Sequence, residues 1–211
     1  MSFKNILCFG TLNPDLIYFV DELPNKGDDI RSLNSSIRPG GTAINCSELI
    51  SLWDKSVHVR GNSIGSDPMG KYLVDYLKEN NINFDGLIIN QSLTPTCSIF
   101  VDSSGERTIV SSGYEGLEWS NFENLNNFDS LIIDRYSIKF IKDKLKDLKK
   151  QNNLFVCQAG YEYEINYKLD FLIVSKDEIS VDEANNLIDS KTVEYIPVSY
   201  THLTLPTIRE V

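Results

Sequence analysis

The chain has 211 residues and a formal net charge of −10, with 41% hydrophobic and 24% charged residues. This composition is typical of a globular protein, and no apolar run reaches the roughly 18–20 residues that a membrane span requires. The excess of acidic residues argues against sequence-independent nucleic-acid binding, which depends on neutralising phosphates with lysine and arginine. We therefore expect neither a nucleic-acid nor a membrane partner.

In the first half of the chain, apolar runs of strand length alternate with segments of helical spacing. Residues 6–10 form a short apolar run that ends in glycine, which predicts a buried strand. A second run follows at 16–20, and residues 30–37 mix apolar and polar types. Helical spacing then predicts a helix over 42–53 with Thr42 as its N-cap, a strand over 57–61, and a second helix that begins near Pro68.

The second half continues the alternation. Strand-like runs lie at 86–89, 97–102 and 108–112, with a hairpin-type loop at 102–106. A strand at 131–133 precedes a lysine-rich helix with Ile138, Ile141, Leu145 and Leu148 on one face. Strands at 154–157 and 171–174 follow, and Ser180 with Glu183 forms a capping box that opens a last helix. The pattern predicts a doubly wound, mainly parallel α/β sheet, with a small antiparallel accessory sheet near 16–37 and 97–112.

The four cysteines, Cys8, Cys46, Cys97 and Cys157, lack Cys-x-x-Cys spacing. This arrangement predicts core residues of a reduced protein rather than disulfides or a zinc site. The two histidines have no partners at ligand spacing, so no metal site is predicted. Residues 1–5 lead directly into the first apolar run without a long apolar core. We therefore expect no secretory signal and a cytoplasmic location.

The last fourteen residues break the pattern of the chain. Val198–Thr207 is similar to the translation of a transposon-type sequencing-library adapter, and the four residues after it fit the index and stop codon that follow such an adapter. We therefore expect a native segment over 1–197 and a non-native tail over 198–211. Resequencing the locus beyond codon 197 tests this expectation.

Three glycine-rich motifs carry the chemistry. Gly10-Thr11-Leu12-Asn13-Pro14-Asp15 follows the first strand, where ligands bind in open α/β sheets. Gly40-Gly41-x-x-x-Asn45 opens a helix whose N-terminus offers N–H groups. Gly61-x-x-x-Gly65-x-Asp67-x-x-Gly70 lacks the spacing of a dinucleotide site. Taken singly, the first motif is also explained by an Asx turn, and the second by a structural turn.

In this order, together with Pro24-x-x-Gly27 and Gly105-Glu106-Arg107, the motifs resemble the ribokinase-like (PfkB) carbohydrate kinases over about residues 5–190. The resemblance implies a ribokinase-like doubly wound sheet with a small β lid formed by segments of about 14–37 and 94–112. It implies ATP-dependent phosphorylation of a sugar hydroxyl, with ATP and Mg²⁺ as cofactors. The strands of such a lid would be edge strands that need cover, and a homodimer through the lid is one way to supply it.

By the same resemblance, five residues would hold the sugar: Asn13, Asp15, Gly40, Gly41 and Asn45. Asp134 and Arg135 would face the same cleft. Glu178 matches a family carboxylate near magnesium and phosphates, although Ser175 stands where asparagine is usual.

The family's Gly-Ala-Gly-Asp motif, which carries the general base, does not occur in this chain. The chain is therefore expected to keep the sugar-binding part of such a kinase, to lack most of the nucleotide site and to be inactive. Exposed apolar surface is expected near residues 172–174. A nucleoside kinase of the same superfamily and a non-catalytic sugar-binding or lid-dimerising protein remain alternatives. A dinucleotide oxidoreductase is disfavoured, because the Gly-x-Gly-x-x-Gly spacing is missing.

Overall fold

A computed structural model of the chain describes residues 3–53, 55–122, 125–151, 154–161, 165–175 and 177–199. The strands are β1 (Asn5–Gly10), β2 (Asn13–Phe19), β3 (Asn34–Gly40), β4 (Ser56–Gly61), β5 (Ile64–Gly65), β6 (Ile89–Asn90), β7 (Thr96–Val101), β8 (Arg107–Ser112), β9 (Ser130–Asp134), β10 (Phe155–Ala159), β11 (Leu169–Ser175), β12 (Val193–Tyr195) and β13 (Val198–Ser199). The helices are α1 (Thr42–Ser51), α2 (Pro68–Glu79), α3 (Lys142–Gln151) and α4 (Val181–Asp189).

The central sheet has the strand order β12-β11-β10-β9-β1-β4, and β13 also pairs with β11. All of its pairs are parallel, so apolar residues are needed on both faces. Along β1, Leu7 and Phe9 belong to one core cluster, and Cys8 belongs to the other. The α/β fold predicted from the alternation of elements is confirmed.

A second sheet, which we call the small sheet, has the order β3-β2-β7-β8. The pairs β2–β3 and β7–β8 are antiparallel, but β2 and β7 pair in parallel. The predicted accessory sheet is therefore present, but the expectation that it is antiparallel is wrong. The reason is topological, because a parallel pair requires a long connection and the chain between β2 and β7 contains α1 and α2. The expected lid boundaries stay a prediction.

Several local boundaries differ from the sequence predictions. The N-cap of α1 is Gly41 rather than Thr42, with no side-chain capping hydrogen bond. The lysine-rich helix is interrupted at Ile141, since a 3₁₀ turn over Ile138–Phe140 precedes α3. The strand expected at 86–89 is reduced to the two residues of β6. The capping box of Ser180 with Glu183 is confirmed.

The end of the described chain bears on two further expectations. Leu172 and Val174 are buried, contrary to the expected exposure, because they face the helices of the larger core cluster. Ile173 points to the opposite face and is 40% exposed. Val198 and Ser199 pair with β11, and the rest of the expected non-native tail lies outside the described residues. Within the described ranges, no helix is long and apolar enough to cross a membrane.

Candidate functional site

The first candidate site lies where the small sheet joins the central sheet. β1 ends at Gly10, and β2 begins three residues later at Asn13. Asn13 pairs with Gly40 across the antiparallel ladder of β2 and β3. This register brings together four of the residues predicted to hold a sugar: Asn13, Asp15, Gly40 and Gly41.

A short relay of hydrogen bonds orients the carboxylate of this site. The Tyr114 hydroxyl donates to Asn13 Oδ1 over 2.7 Å, and Asn13 Nδ2 donates to Asp15 Oδ1 over 2.7 Å. Burial raises the pKa of Asp15, and the hydrogen bond from Asn13 and the charge of Arg107 partly offset that rise. Tyr114 was not predicted from the sequence, since a single tyrosine after a strand carries no periodic signal.

Gly40 and Gly41, which precede α1, are each required to be glycine, but for different reasons. A Cβ on Gly40 would overlap the Asp15 carboxylate, so the missing side chain makes room for that group. Gly41 has φ +86°, and a Cβ there would overlap the Thr11 carbonyl oxygen. A left-handed backbone in such close contact admits only glycine. The glycine pair therefore shapes the floor beside Asp15.

The first turn of α1 is largely occupied by protein contacts. The backbone N–H of Thr42 donates to Thr11 Oγ1 and that of Ala43 donates to the Thr11 carbonyl, both over 3.2 Å. The expectation that the helix start offers unpaired N–H groups is therefore wrong at these two positions. Asn45, one turn further along, has an exposed side chain.

Asp134 lies beneath this floor and is 1% exposed. Its Oδ2 accepts from the backbone N–H and the hydroxyl of Thr11, over 2.7 and 2.9 Å. Its Oδ1 accepts from the backbone N–H groups of Tyr136 and Ser137, over 3.0 and 2.7 Å. Both oxygens are thus engaged by the protein, and Asp134 ties the end of β9 to the loop after β1.

Arg135 and Glu178 form a second group at the carboxyl ends of β9 and β11. Arg135 Nη1 lies 2.6 Å from Glu178 Oε1, and the Ser175 N–H donates to Glu178 Oε2 over 2.8 Å. The guanidinium carbon of Arg135 also lies 5.4 Å from the ring centre of Tyr136. The structure therefore brings Arg135 and Glu178 together, while Asp134 turns inward, away from them.

The second group contains one carboxylate and one guanidinium that bear on ATP and magnesium, those of Glu178 and Arg135. Among the described residues, no cluster of three or more histidine, cysteine, aspartate or glutamate side chains could hold a metal alone. Magnesium is usually bound by one or two carboxylates together with the phosphates of a nucleotide, so Glu178 fits this role. The planar guanidinium of Arg135 fits phosphate oxygens.

The third glycine motif is structural. The Asp67 carboxylate caps α2 by accepting from the Gly70 N–H over 2.8 Å, and it accepts from the N–H and the hydroxyl of Thr94 over 2.8 and 2.7 Å. Burial acts against ionisation, but these hydrogen bonds hold the pKa of Asp67 below its usual value. The motif thus fastens α2 to the segment that enters β7.

The architecture agrees with solved structures of ribokinases. The structure of Arabidopsis thaliana ribokinase complexed with ribose and ATP superposes with a TM-score of 0.72 at 15% identity, covering 95% of this chain and 72% of that chain. The class of protein is therefore defined by its fold, which is ribokinase-like.

Comparison of the sequence then shows the family. The model of the pfkB family carbohydrate kinases matches residues 4–159, and the chain belongs to this family. Dictyostelium discoideum ribokinase is 25% identical over 175 residues, which are 82% of this chain and 48% of that protein. Mus musculus ketohexokinase is 30% identical over 112 residues, which are 52% of this chain and 37% of that protein. The chain thus spans half or less of the length of these two relatives.

Proposed function

We propose that this chain binds a monosaccharide at Asp15, as the sugar-binding part of an ATP-dependent kinase that phosphorylates a sugar hydroxyl. The observation that carries the proposal is the half-buried Asp15 carboxylate, oriented through Oδ1 by Asn13 and lying over Gly40. A carboxylate accepts strong, charge-assisted hydrogen bonds from hydroxyl groups. Membership of the pfkB family and the ribose named for the Arabidopsis structure support a sugar as the ligand.

The surroundings of Asp15 suit a polyhydroxylated ligand. Gly40 and Gly41 present backbone without side chains, which lets a sugar ring approach closely. Cys97 and Arg38 flank Asp15 in register on β7 and β3. The small sheet thus forms one wall of the site, and Asn45 at the start of α1 would contribute from the other side.

Arg135 and Glu178 are proposed to serve the nucleotide. Arg135 would hold phosphate oxygens of ATP, and Glu178 would hold magnesium together with those phosphates. Bound magnesium supplies neutralisation of the charge on the transferred phosphoryl group. In the structure the two side chains neutralise each other, so nucleotide binding would have to separate the 2.6 Å pair.

We propose that this chain binds sugar without turning it over. The Gly-Ala-Gly-Asp motif, whose aspartate would accept the proton of the sugar hydroxyl, is missing from its sequence. A coupled ADP-release assay over a sugar panel is expected to give no signal above the blank, and clear activity would contradict this part of the proposal.

The binding proposal is tested by calorimetry with D-ribose, D-fructose and a nucleoside panel. The wild type is expected to bind a sugar, and Asp15→Asn is expected to lose that binding. Asp28→Asn, in an exposed turn, is the matched control and should bind as the wild type does. Selective binding of a nucleoside would favour the nucleoside-kinase alternative, and absence of any binding would overturn the proposal.

Two further parts of the proposal concern location and assembly. A cytoplasmic location is supported by the four cysteines, all of which are free. A homodimer through the small sheet is supported by the exposed apolar residues Phe19 and Ile109, which are 39% and 51% exposed on the face that carries Asp15. Burial of this face by a second chain would remove apolar surface from water.

A further inference from the structure

Tyr114 stands at the point where β8 leaves the small sheet and the chain returns to the central sheet. Its hydroxyl lies 2.7 Å from Asn13 Oδ1, although the two residues are 101 positions apart in sequence. Asn13 is 2% exposed, so its amide depends on protein partners rather than on water. The amide nitrogen has two partners, Asp15 Oδ1 at 2.7 Å and the Pro14 carbonyl at 3.2 Å.

We propose that Tyr114 is a positioning residue for the sugar-binding carboxylate. By holding the Asn13 amide in one orientation, it keeps an N–H directed at Asp15 Oδ1 and leaves the other carboxylate oxygen for the sugar. This inference rests on the proposed function, because it assigns to Tyr114 a part in the same site.

The chemistry of the three side chains decides which group donates in each hydrogen bond of the relay. An ionised carboxylate only accepts, so Asp15 requires the nitrogen side of the Asn13 amide. The amide oxygen then faces Tyr114, which must donate. Burial, followed by the neighbouring Cys97 and Asp15, raises the pKa of Tyr114, so its hydroxyl keeps the proton it donates. A flipped amide would place its oxygen against the carboxylate and would be repelled.

The backbone around Tyr114 holds the hydroxyl in place. Gly113 has φ +78°, and a Cβ on it would lie 3.2 Å from Pro95 Cα. The segment that enters β7 and the segment that leaves β8 are therefore in close contact. The neighbouring Thr94 is fastened to Asp67 by two hydrogen bonds. Tyr114 therefore follows a backbone segment that packs against Pro95, next to a residue fastened to the N-cap of α2.

Other charged and titratable groups also face Asp15. Arg38 and Cys97 are the register partners of Asp15 on β3 and β7. The positive charge of Arg107, on β8, lowers the pKa of Asp15. Tyr114 is joined to Asp15 through the hydrogen bonds of Asn13. Tyr114→Phe keeps the other groups in place, but it also removes the 3.7 Å contact of the Tyr114 hydroxyl with Cys97 Sγ. A change in the titration of Asp15 that Tyr114→Phe and Asn13→Ala share therefore reports the relay.

The first experiment follows the Asp15 carboxyl carbon by ¹³C NMR as a function of pH, in the absence of sugar. Tyr114→Phe is expected to raise the titration midpoint by about one pH unit, since the donor to the carboxylate is no longer held. Asn13→Ala should raise it similarly. Tyr72→Phe is the matched control, because it deletes another tyrosine hydroxyl that donates to the small sheet, at the Ile37 carbonyl. An unchanged midpoint in Tyr114→Phe overturns the relay, whatever the result for Asn13→Ala.

The second experiment measures sugar affinity by calorimetry from pH 4 to pH 8. Tyr114→Phe is expected to weaken binding about tenfold and to raise the pH below which affinity is lost. Tyr72→Phe should change neither quantity. In the Asn13→Ala background, Tyr114→Phe should have no further effect on affinity if it acts through Asn13. An additive effect overturns the positioning role. If the wild type binds no sugar, the proposed function fails, and the Asp15 titration still decides the relay.

Discussion

The buried carboxylate of Asp134 provides a test of how this fold is held together. In Asp134→Asn the shape of the side chain is kept, but one oxygen becomes an NH₂ group. The best arrangement keeps the amide oxygen toward the N–H groups of Tyr136 and Ser137 and turns the nitrogen toward Thr11. The Thr11 hydroxyl can rotate to accept, but the Thr11 N–H, 2.7 Å from the replaced atom, cannot.

The magnitude follows from these contacts. An unsatisfied buried N–H costs about 1–3 kcal/mol, and two charge-assisted hydrogen bonds become neutral ones of about half their strength. The sum is roughly 3–5 kcal/mol, a large part of the 5–15 kcal/mol that typically stabilises a domain. For a chain of this size we expect the melting temperature to fall by roughly 10 °C or more.

The assay is thermal and urea unfolding at pH 7, with Asp129→Asn as the matched control. Asp129 is exposed, and one of its oxygens, Oδ2, accepts from the N–H groups of both Lys4 and Asn5, over 2.9 and 3.0 Å. An amide oxygen can serve both donors and water surrounds the group, so the control should lose much less stability than Asp134→Asn. If Asp134→Asn unfolds within a degree or two of Asp129→Asn, the reasoning on the buried carboxylate is refuted.

Three further predictions concern the candidate site and the small sheet. Burial raises the pKa of Asp15, so its ionised form destabilises the folded chain at neutral pH. Asp15→Asn should therefore melt at a higher temperature than the wild type at pH 7. In a series of melts the difference should vanish below about pH 3.8, the ordinary pKa of an aspartate, where Asp15 is protonated in both the folded and the unfolded chain. Gly41→Ala should be much less stable in urea than Gly27→Ala, because both have positive φ but only the first overlaps Thr11; equal losses would contradict the overlap. Ile109→Glu should convert the proposed dimer to a monomer in light scattering, and a monomeric wild type would contradict the dimer.

Local signals in the sequence were sufficient for much of the fold. The apolar run of β1, the proline at the start of α2 and the capping box at Ser180 each depend on neighbours within a few residues. The glycine pair at 40 and 41 was correctly predicted to precede the first helix, which begins at Thr42. Such signals reflect backbone preferences and short-range hydrogen bonds, which the sequence determines by itself.

Long-range contacts decided the rest. Pairing of β2 with β7 in parallel joins segments about 80 residues apart, and no local pattern distinguishes it from antiparallel pairing. The expected cleft residue Asp134 turned inward because Thr11, 123 residues away, supplies two donors to its Oδ2. Tyr114 entered the site by the same kind of contact. Sequence alone thus determined which elements form, whereas the contacts of individual side chains depended on partners that only the tertiary structure brings within hydrogen-bonding distance.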